Sequence, residues 1–266
     1  MQGTDEKLST AVTPVDVDAV LEKYDPESRY LKLTGNWATL VKIIAVCFSL
    51  FQLYTAMFGL FTAQLQRPTH LMFALTLIYL LYPTRKPKRA GSGGLQIHPV
   101  DIVLSLLSIA VASYSLFTYE NLMETAGLYS TTDYIVAVLG ILLTLEATRR
   151  IVGLPIVIVA SCFLIYAYLG PYFPGFLNHR GYGIKRIVTH MWLTTEGVMG
   201  IPLGVSSTFI FLFILFGAFL SSTGIMDFFI NISNAIAGWA SGGPAKVAVM
   251  ASALMGTVSG SSVANV

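Results

Sequence analysis

Charge is what this chain has least of. Of its 266 residues only 11% are Asp, Glu, Lys or Arg, where a soluble domain carries about 25%. Hydrophobic residues make up 55%, and the mean hydropathy is +0.69. That excludes an ordinary water-facing surface and points to lipid in its place. The net charge of +2 is too small to attract a polyanion, so nucleic acid is excluded as a partner. The two cysteines, Cys47 and Cys162, sit far apart in apolar runs, form no metal or redox motif, and read as buried small residues. No GxxxxGK[ST] or HExxH motif occurs, and Gly91-Ser92-Gly93-Gly94 has no lysine after it. His70, His98, His179 and His190 fall at no ligand-like spacing and read as loop or interface residues. Without a nucleophile and base, or paired carboxylates at membrane depth, an intramembrane enzyme finds no support, and no cofactor is implied.

What the chain does have is long runs free of charge. Ile43–Gln66, Pro68–Thr84, Ile102–Tyr119, Ile151–His179 and Gly197–Met226 contain none, and Tyr134–Leu145 closes on Glu146, Arg149 and Arg150. With about 20 apolar residues needed per crossing, these predict about six spanning helices, near 38–62, 68–83, 101–119, 133–149, 153–172 and 203–222. The fold class is all-α, a polytopic membrane protein. Arg85, Lys86, Lys88 and Arg89 place the 84–98 loop in the cytoplasm, while Glu120 and Glu124 place 120–132 outside. Residues 1–36 are polar, mixed in charge and without a cleavable signal, and predict a cytoplasmic N-terminus. Within them, 14–30 reads as a short amphipathic helix behind Thr13 and Pro14. Helix parity puts 174–200 outside, although Arg180, Lys185 and Arg186 there outnumber Glu196. Residues 183–195 predict an interfacial helix: Ile184, Ile187, Val188, Met191 and Trp192 share a face, with Lys185, Arg186 and Thr189 elsewhere on the wheel. The expected organisation is a cytoplasmic segment (1–36), a four-helix membrane module (37–150), a connecting helix and loop (151–182) and a final unit (183–266).

The few charges inside or near the spans carry more weight because they are costly there. Asp101 and Asp133 open predicted helices and suit the positive end of the helix dipole, so both read as caps. Glu146 and Arg150, four residues apart, predict a neutralising pair at the membrane edge. Asp227, Asn231 and Asn234 share one face of an otherwise apolar 225–239 segment. That stripe fits either an interfacial helix with a wetted side or a helix lining a polar cavity.

The strongest candidate lies at the end of the sequence. An apolar, small-residue helix from Pro244 runs into Gly256, Thr257, Ser259, Gly260, Ser261, Ser262 and Asn265. Helix-breaking polar residues at membrane depth are tolerated where the freed backbone lines a cavity or binds an ion. Hydroxyl, carboxamide and carbonyl oxygens are hard ligands suited to an alkali cation, and exposed amides suit an anion. A small-residue helix-packing motif is the alternative. The segment reads as a broken helix or half-helix tip, and the chain looks cut short within it.

These residues resemble a known family. Gly256–Val266, preceded by Gly242–Val249, is similar to the first hairpin of the large membrane subunit of TRAP (tripartite ATP-independent periplasmic) transporters. Thr195–Ser206, followed by Phe209–Leu220, resembles the type that fuses small and large membrane subunits, as do Tyr24–Arg29 and Ser49–Ala56. The resemblance implies a sodium-coupled, elevator-type permease in the cytoplasmic membrane of a bacterium or archaeon. It implies import of an organic acid, such as a dicarboxylate, delivered by a periplasmic receptor of the TAXI type. On that resemblance Ser261, Ser262 and Asn265 supply side-chain oxygens near sodium or substrate, Gly260 supplies the turn, and Ser259 belongs to the same tip. Residues 1–150 would brace the moving part, and the remainder of the large subunit, with its second hairpin, would be a missing partner. The reading from another class is a truncated membrane scaffold that does not transport.

Overall fold

The structure, a computed structural model, describes residues 31, 33, 35–84, 98–124 and 127–259. The expected helix at 14–30, the basic loop and Gly260–Val266 lie outside these residues. The chain runs through α1 (Asn36–Phe58), α2 (Ala63–Leu81), α3 (Pro99–Glu124), α4 (Thr131–Ile151), α5 (Leu154–Leu169) and α6 (Ile184–Leu193). It continues through α7 (Ile201–Val205), a π-helical turn (Ser206–Ile210), α8 (Phe211–Ser222), α9 (Ile225–Ala237) and α10 (Gly243–Ser259). Each of the six expected spans corresponds to helix, and α6 is helical where the sequence predicts an amphipathic helix. The fold is all-α and that of a polytopic membrane protein.

Four of these stretches are long and apolar enough to cross a membrane: Asn36–Phe58, Pro99–Leu122, Leu154–Tyr172 and Ile201–Leu220. The other two expected spans, α2 and α4, fall short of that measure because Gln64, Gln66, Arg67 and His70 lie in one and Asp133, Glu146, Arg149 and Arg150 in the other. Their polarity has a structural cause. α2 packs against α1, α3, α4 and α7, and α4 against α2, α3, α5 and α6. These two helices form the centre, where polar groups find partners inside the protein. The apolar helices around them turn Val46, Leu50, Leu106, Phe163 and Phe213 outward. Cys47 and Cys162 are exposed on this outer surface, which corrects the expectation that they are buried. Both stand on helices whose apolar surface suits lipid.

The core is built from Leu71, Leu75 and Tyr79 of α2, Val111 of α3, Ala137, Leu143 and Ala147 of α4, and Trp192 and Met199. One glycine governs the docking of α6. A Cβ on Gly140 would lie 2.3 Å from the Trp192 ring, so the bare backbone of α4 is what lets the indole lie flat on it. Trp192 is 1% exposed as a result. Helix α6 differs in detail from its expected wheel. Thr189 is buried, its hydroxyl donating to Lys185 O at 3.0 Å, while Ile184 is exposed. The rotation follows from Trp192, which takes the inward position that the sequence pattern spreads over five residues.

α4 begins with a capping box. Ser130 Oγ accepts from Asp133 N at 3.2 Å, and Asp133 Oδ2 accepts from Ser130 N at 2.7 Å, the capping role expected of Asp133. At the other end of α5, the His179 ring stands where a Cβ on Gly170 would be, 2.1 Å away. There it accepts from Gly181 N and lies 3.1 Å from Tyr166 O.

Gly140→Ala is expected to lower stability by about 1–3 kcal/mol, because the added methyl must displace a buried indole. A fall in the thermal unfolding midpoint of the detergent-solubilised protein checks this. Leu142→Ala, two positions on and exposed, should leave the midpoint nearly unchanged.

Candidate functional site

Three groups of polar side chains are held inside the described helices. The first clamps the segment that leads into α7. Arg67 of α2 donates from Nη1 to Met199 O at 2.7 Å and to Thr195 O at 3.4 Å. The glycines of this segment make room for the arrangement. A Cβ on Gly197 would fall 2.3 Å from Met191 O, one on Gly200 2.7 Å from Gly197 O, and one on Gly204 3.0 Å from the Arg67 guanidinium. The spacing of glycines in Thr195–Ser206 is therefore a backbone fold closed around one arginine.

The second group lies just beyond it. Gln52 and Thr55 of α1, Gln66 and His70 of α2, and Ser207 of the π turn are all buried. Gln52 Nε2 is 2.6 Å from His70 Nδ1, and Ser206 Oγ is 3.2 Å from His70 Nε2. Gln66 Nε2 donates to Thr55 Oγ1 at 3.3 Å and to Ser207 O at 3.1 Å. The π turn belongs to this network. Phe211 N bonds to Ser206 O, five residues back, and the shifted ladder leaves the Ser207 carbonyl available to the glutamine. His70 is thus no loop or interface residue, and that expectation is corrected: it is 5% exposed within a continuous helix. Gln66 Oε1 has no hydrogen-bond partner among the described residues.

The third group closes the end of the bundle at Arg149 and Arg150. The Arg150 guanidinium meets Asp101 Oδ1 at 2.8 Å and Glu146 Oε1 at 2.9 Å. It also donates to Tyr82 O at 2.9 Å and Thr84 Oγ1 at 2.7 Å, and stacks 4.7 Å above the Tyr79 ring. The expected Glu146–Arg150 pair is present. Asp101 departs from expectation: its carboxylate, fully buried, is an ion-pair partner that joins α3 to α4 and not simply a cap. The reason is proximity, since the last turn of α4 delivers a cation to the first turn of α3.

The sequence-predicted site residues stand elsewhere. α9 and α10 pack on each other and on α8. They are joined by a tight turn in which Gly242 has φ 75° and a Cβ on Gly243 would lie 2.4 Å from Gly238 O. Asp227, Asn231 and Asn234 are exposed on α9. α10 stays helical through Gly256 to Ser259, and Thr257 Oγ1 donates to Leu254 O at 2.7 Å. Gly260, Ser261, Ser262 and Asn265 lie outside the described residues. The sequence reading missed Gln52, Gln66, Arg67 and the Asp101–Arg150 pair. A signal for part of this existed: Gln66 and His70 are four apart, and Gln52 and Thr55 three apart, the spacing of one helix face.

The helical pair that leads into the glycine- and serine-rich end lies within a stretch that other proteins share. Residues 139–266 match a transporter family. Its description is Tripartite ATP-independent periplasmic transporter, DctM component. No curated protein and no solved structure matches the chain. The DctM-like stretch begins inside α4 and takes in the Trp192 contact, the arginine-clamped segment, the π turn and the α9–α10 pair. It is similar to part of a TRAP permease, a secondary transporter of solutes and not an enzyme. The family implies a periplasmic binding protein as partner and the inner membrane as location. Arg67 and Gln66, which precede the DctM-like stretch, hold it through the Met199 and Ser207 carbonyls.

Arg150→Ala is expected to cost about 3–5 kcal/mol, because it leaves the Asp101 carboxylate buried without its cation. Asp101→Asn in the same chain should restore part of that loss. Chemical unfolding of the single and double variants measures the coupling. Gln66→Leu should destabilise by about 1–3 kcal/mol, the loss of a partner for buried Thr55 and the Ser207 carbonyl.

Proposed function

We propose that this chain is the leading part of a fused TRAP permease that imports an organic acid by sodium-coupled, elevator-type transport. The observation that carries the reading is the DctM match over residues 139–266, which ends in the oxygen-rich stretch Ser259, Gly260, Ser261, Ser262 and Asn265. In this reading Ser261, Ser262 and Asn265 offer oxygens to sodium or substrate, and Gly260 makes the turn. The remaining ligands come from the rest of a large subunit. A periplasmic receptor, of the TAXI type, delivers a dicarboxylate or related acid. Asp227, Asn231 and Asn234 wet one side of α9, facing the path along which the hairpin moves.

The packing supports a division of labour within this proposal. α7 and the π turn are tied to α2 by Arg67 and Gln66, as suits a part that stays with a bracing scaffold formed by the helices up to about residue 150. α9 and α10 pack on each other and on α8, as suits the start of a part that moves. The segment 151–182 then connects the bracing helices to the large-subunit portion that begins near 183, whose first part, through the π turn, stays with the scaffold.

The test is uptake of a radiolabelled dicarboxylate by the complete permease with its receptor in sodium-loaded gradients. Ser261→Ala and Asn265→Ala are each expected to raise the sodium concentration for half-maximal uptake about tenfold, the effect of one lost bond to a charged group. Uptake that is indifferent both to sodium and to these two changes would sink the proposal in favour of a scaffold that does not transport.

A further inference from the structure

Arg180, Lys185 and Arg186 stand on the side of the membrane that helix parity makes external, where short loops ordinarily carry few basic residues. The structure shows their surroundings. Lys185 opens α6 beside the first turns of α4, its ammonium 5.2 Å from the centre of the Tyr134 ring. It borders a groove of about 380 Å³ lined by Thr131, Tyr134, Ile135, Val138 and Leu139. Ile135 is 56% and Val138 40% exposed, so the groove runs along an exposed apolar face of α4. Asp133 turns the other way, buried and bonded to Ser130 N and the Tyr114 hydroxyl. Glu196, beyond the far end of α6, lies 3.6 Å from His190. Among the described residues no carboxylate pairs with Arg180, Lys185 or Arg186.

The arrangement joins an exposed apolar slot to a cation that no carboxylate among the described residues neutralises. Its chemistry is complementary to an amphiphile with an anionic head and a hydrocarbon tail. We infer that the α4–α6 groove binds an anionic glycerophospholipid, with the phosphate against Lys185 and an acyl chain along Ile135, Val138 and Leu139. A zwitterionic lipid fits the slot equally well but brings its own ammonium group, which offsets the attraction. Basic residues near a membrane surface favour anionic lipid individually, and Arg180 and Arg186 add to the same field. The site is independent of whatever solute the permease carries, and it gives the basic residues of 174–200 a counter-charge on a side where topology alone would disfavour them.

Native mass spectrometry of the purified chain, offered equal amounts of phosphatidylglycerol and phosphatidylcholine, tests the inference. Phosphatidylglycerol adducts should predominate several-fold. Lys185→Gln, a change at an exposed position, should reduce that preference about fivefold. Val138→Trp, which fills the slot, should reduce retention of both lipids. Glycerol 3-phosphate, the head without the tail, should not compete. Equal retention of the two lipids, or a preference unchanged by Lys185→Gln, would overturn the proposal. So would cross-linking of an Ile135→Cys variant to a second copy of the chain in place of lipid retention, because the groove would then be a protein contact.

Discussion

Everything in this structure depends on one requirement: a polar group at membrane depth must find its partner inside the protein. α2 and α4 carry the polar side chains that lipid would reject, and they occupy the two central positions. Arg67, Gln66 and His70 point from α2 into the seam with the π turn, and Arg150 reaches from α4 to Asp101. The outer helices can be almost wholly apolar because the central pair has taken up the polar burden. The hydrophobic core then forms on the faces that remain, with Tyr79 serving both sides: its ring lies in the core and under Arg150, and its hydroxyl donates to Leu143 O.

The polar seam also explains why the irregular backbone near residue 200 is stable. A π turn and a run of glycines leave carbonyls without helical partners. Here those carbonyls are the acceptors for Arg67 and Gln66. The glycines are required by close approach to backbone or to the guanidinium, and not by flexibility. The joint lies where helices outside the DctM-like stretch meet helices within it, so the two parts of the chain form one folded unit at this point.

Much of this was legible beforehand. The six segments expected from charge-free runs all fall on helices, because exclusion of charge is a strong and local signal. The helix at Ile184–Leu193 was legible from its period, and the Asp133 cap and Glu146–Arg150 pair from spacing along one helix. The resemblance at Thr195–Ser206 fell on residues that the structure shows to be an arginine-clamped turn. What was not legible was the identity of partners on different helices. Asp101 and Arg150 are 49 positions apart, and Gln66 and Ser207 are 141 apart. Nothing in a single sequence links such pairs. The cysteines failed for a related reason: an apolar run shows that a residue leaves water, and it does not distinguish lipid from protein interior.

The sequence alone determined the class of the protein and the approximate places of its long apolar helices, since hydropathy and charge act residue by residue and are read directly along the chain. Tertiary structure decided which helices are central and which face lipid. It placed His70 within a buried network, turned Asp101 from a cap into a counter-ion, and put Trp192 against the bare backbone of Gly140. Those outcomes depend on distances across the bundle, where a few ångströms separate a partnered polar atom from a costly one, and only the packed chain sets them.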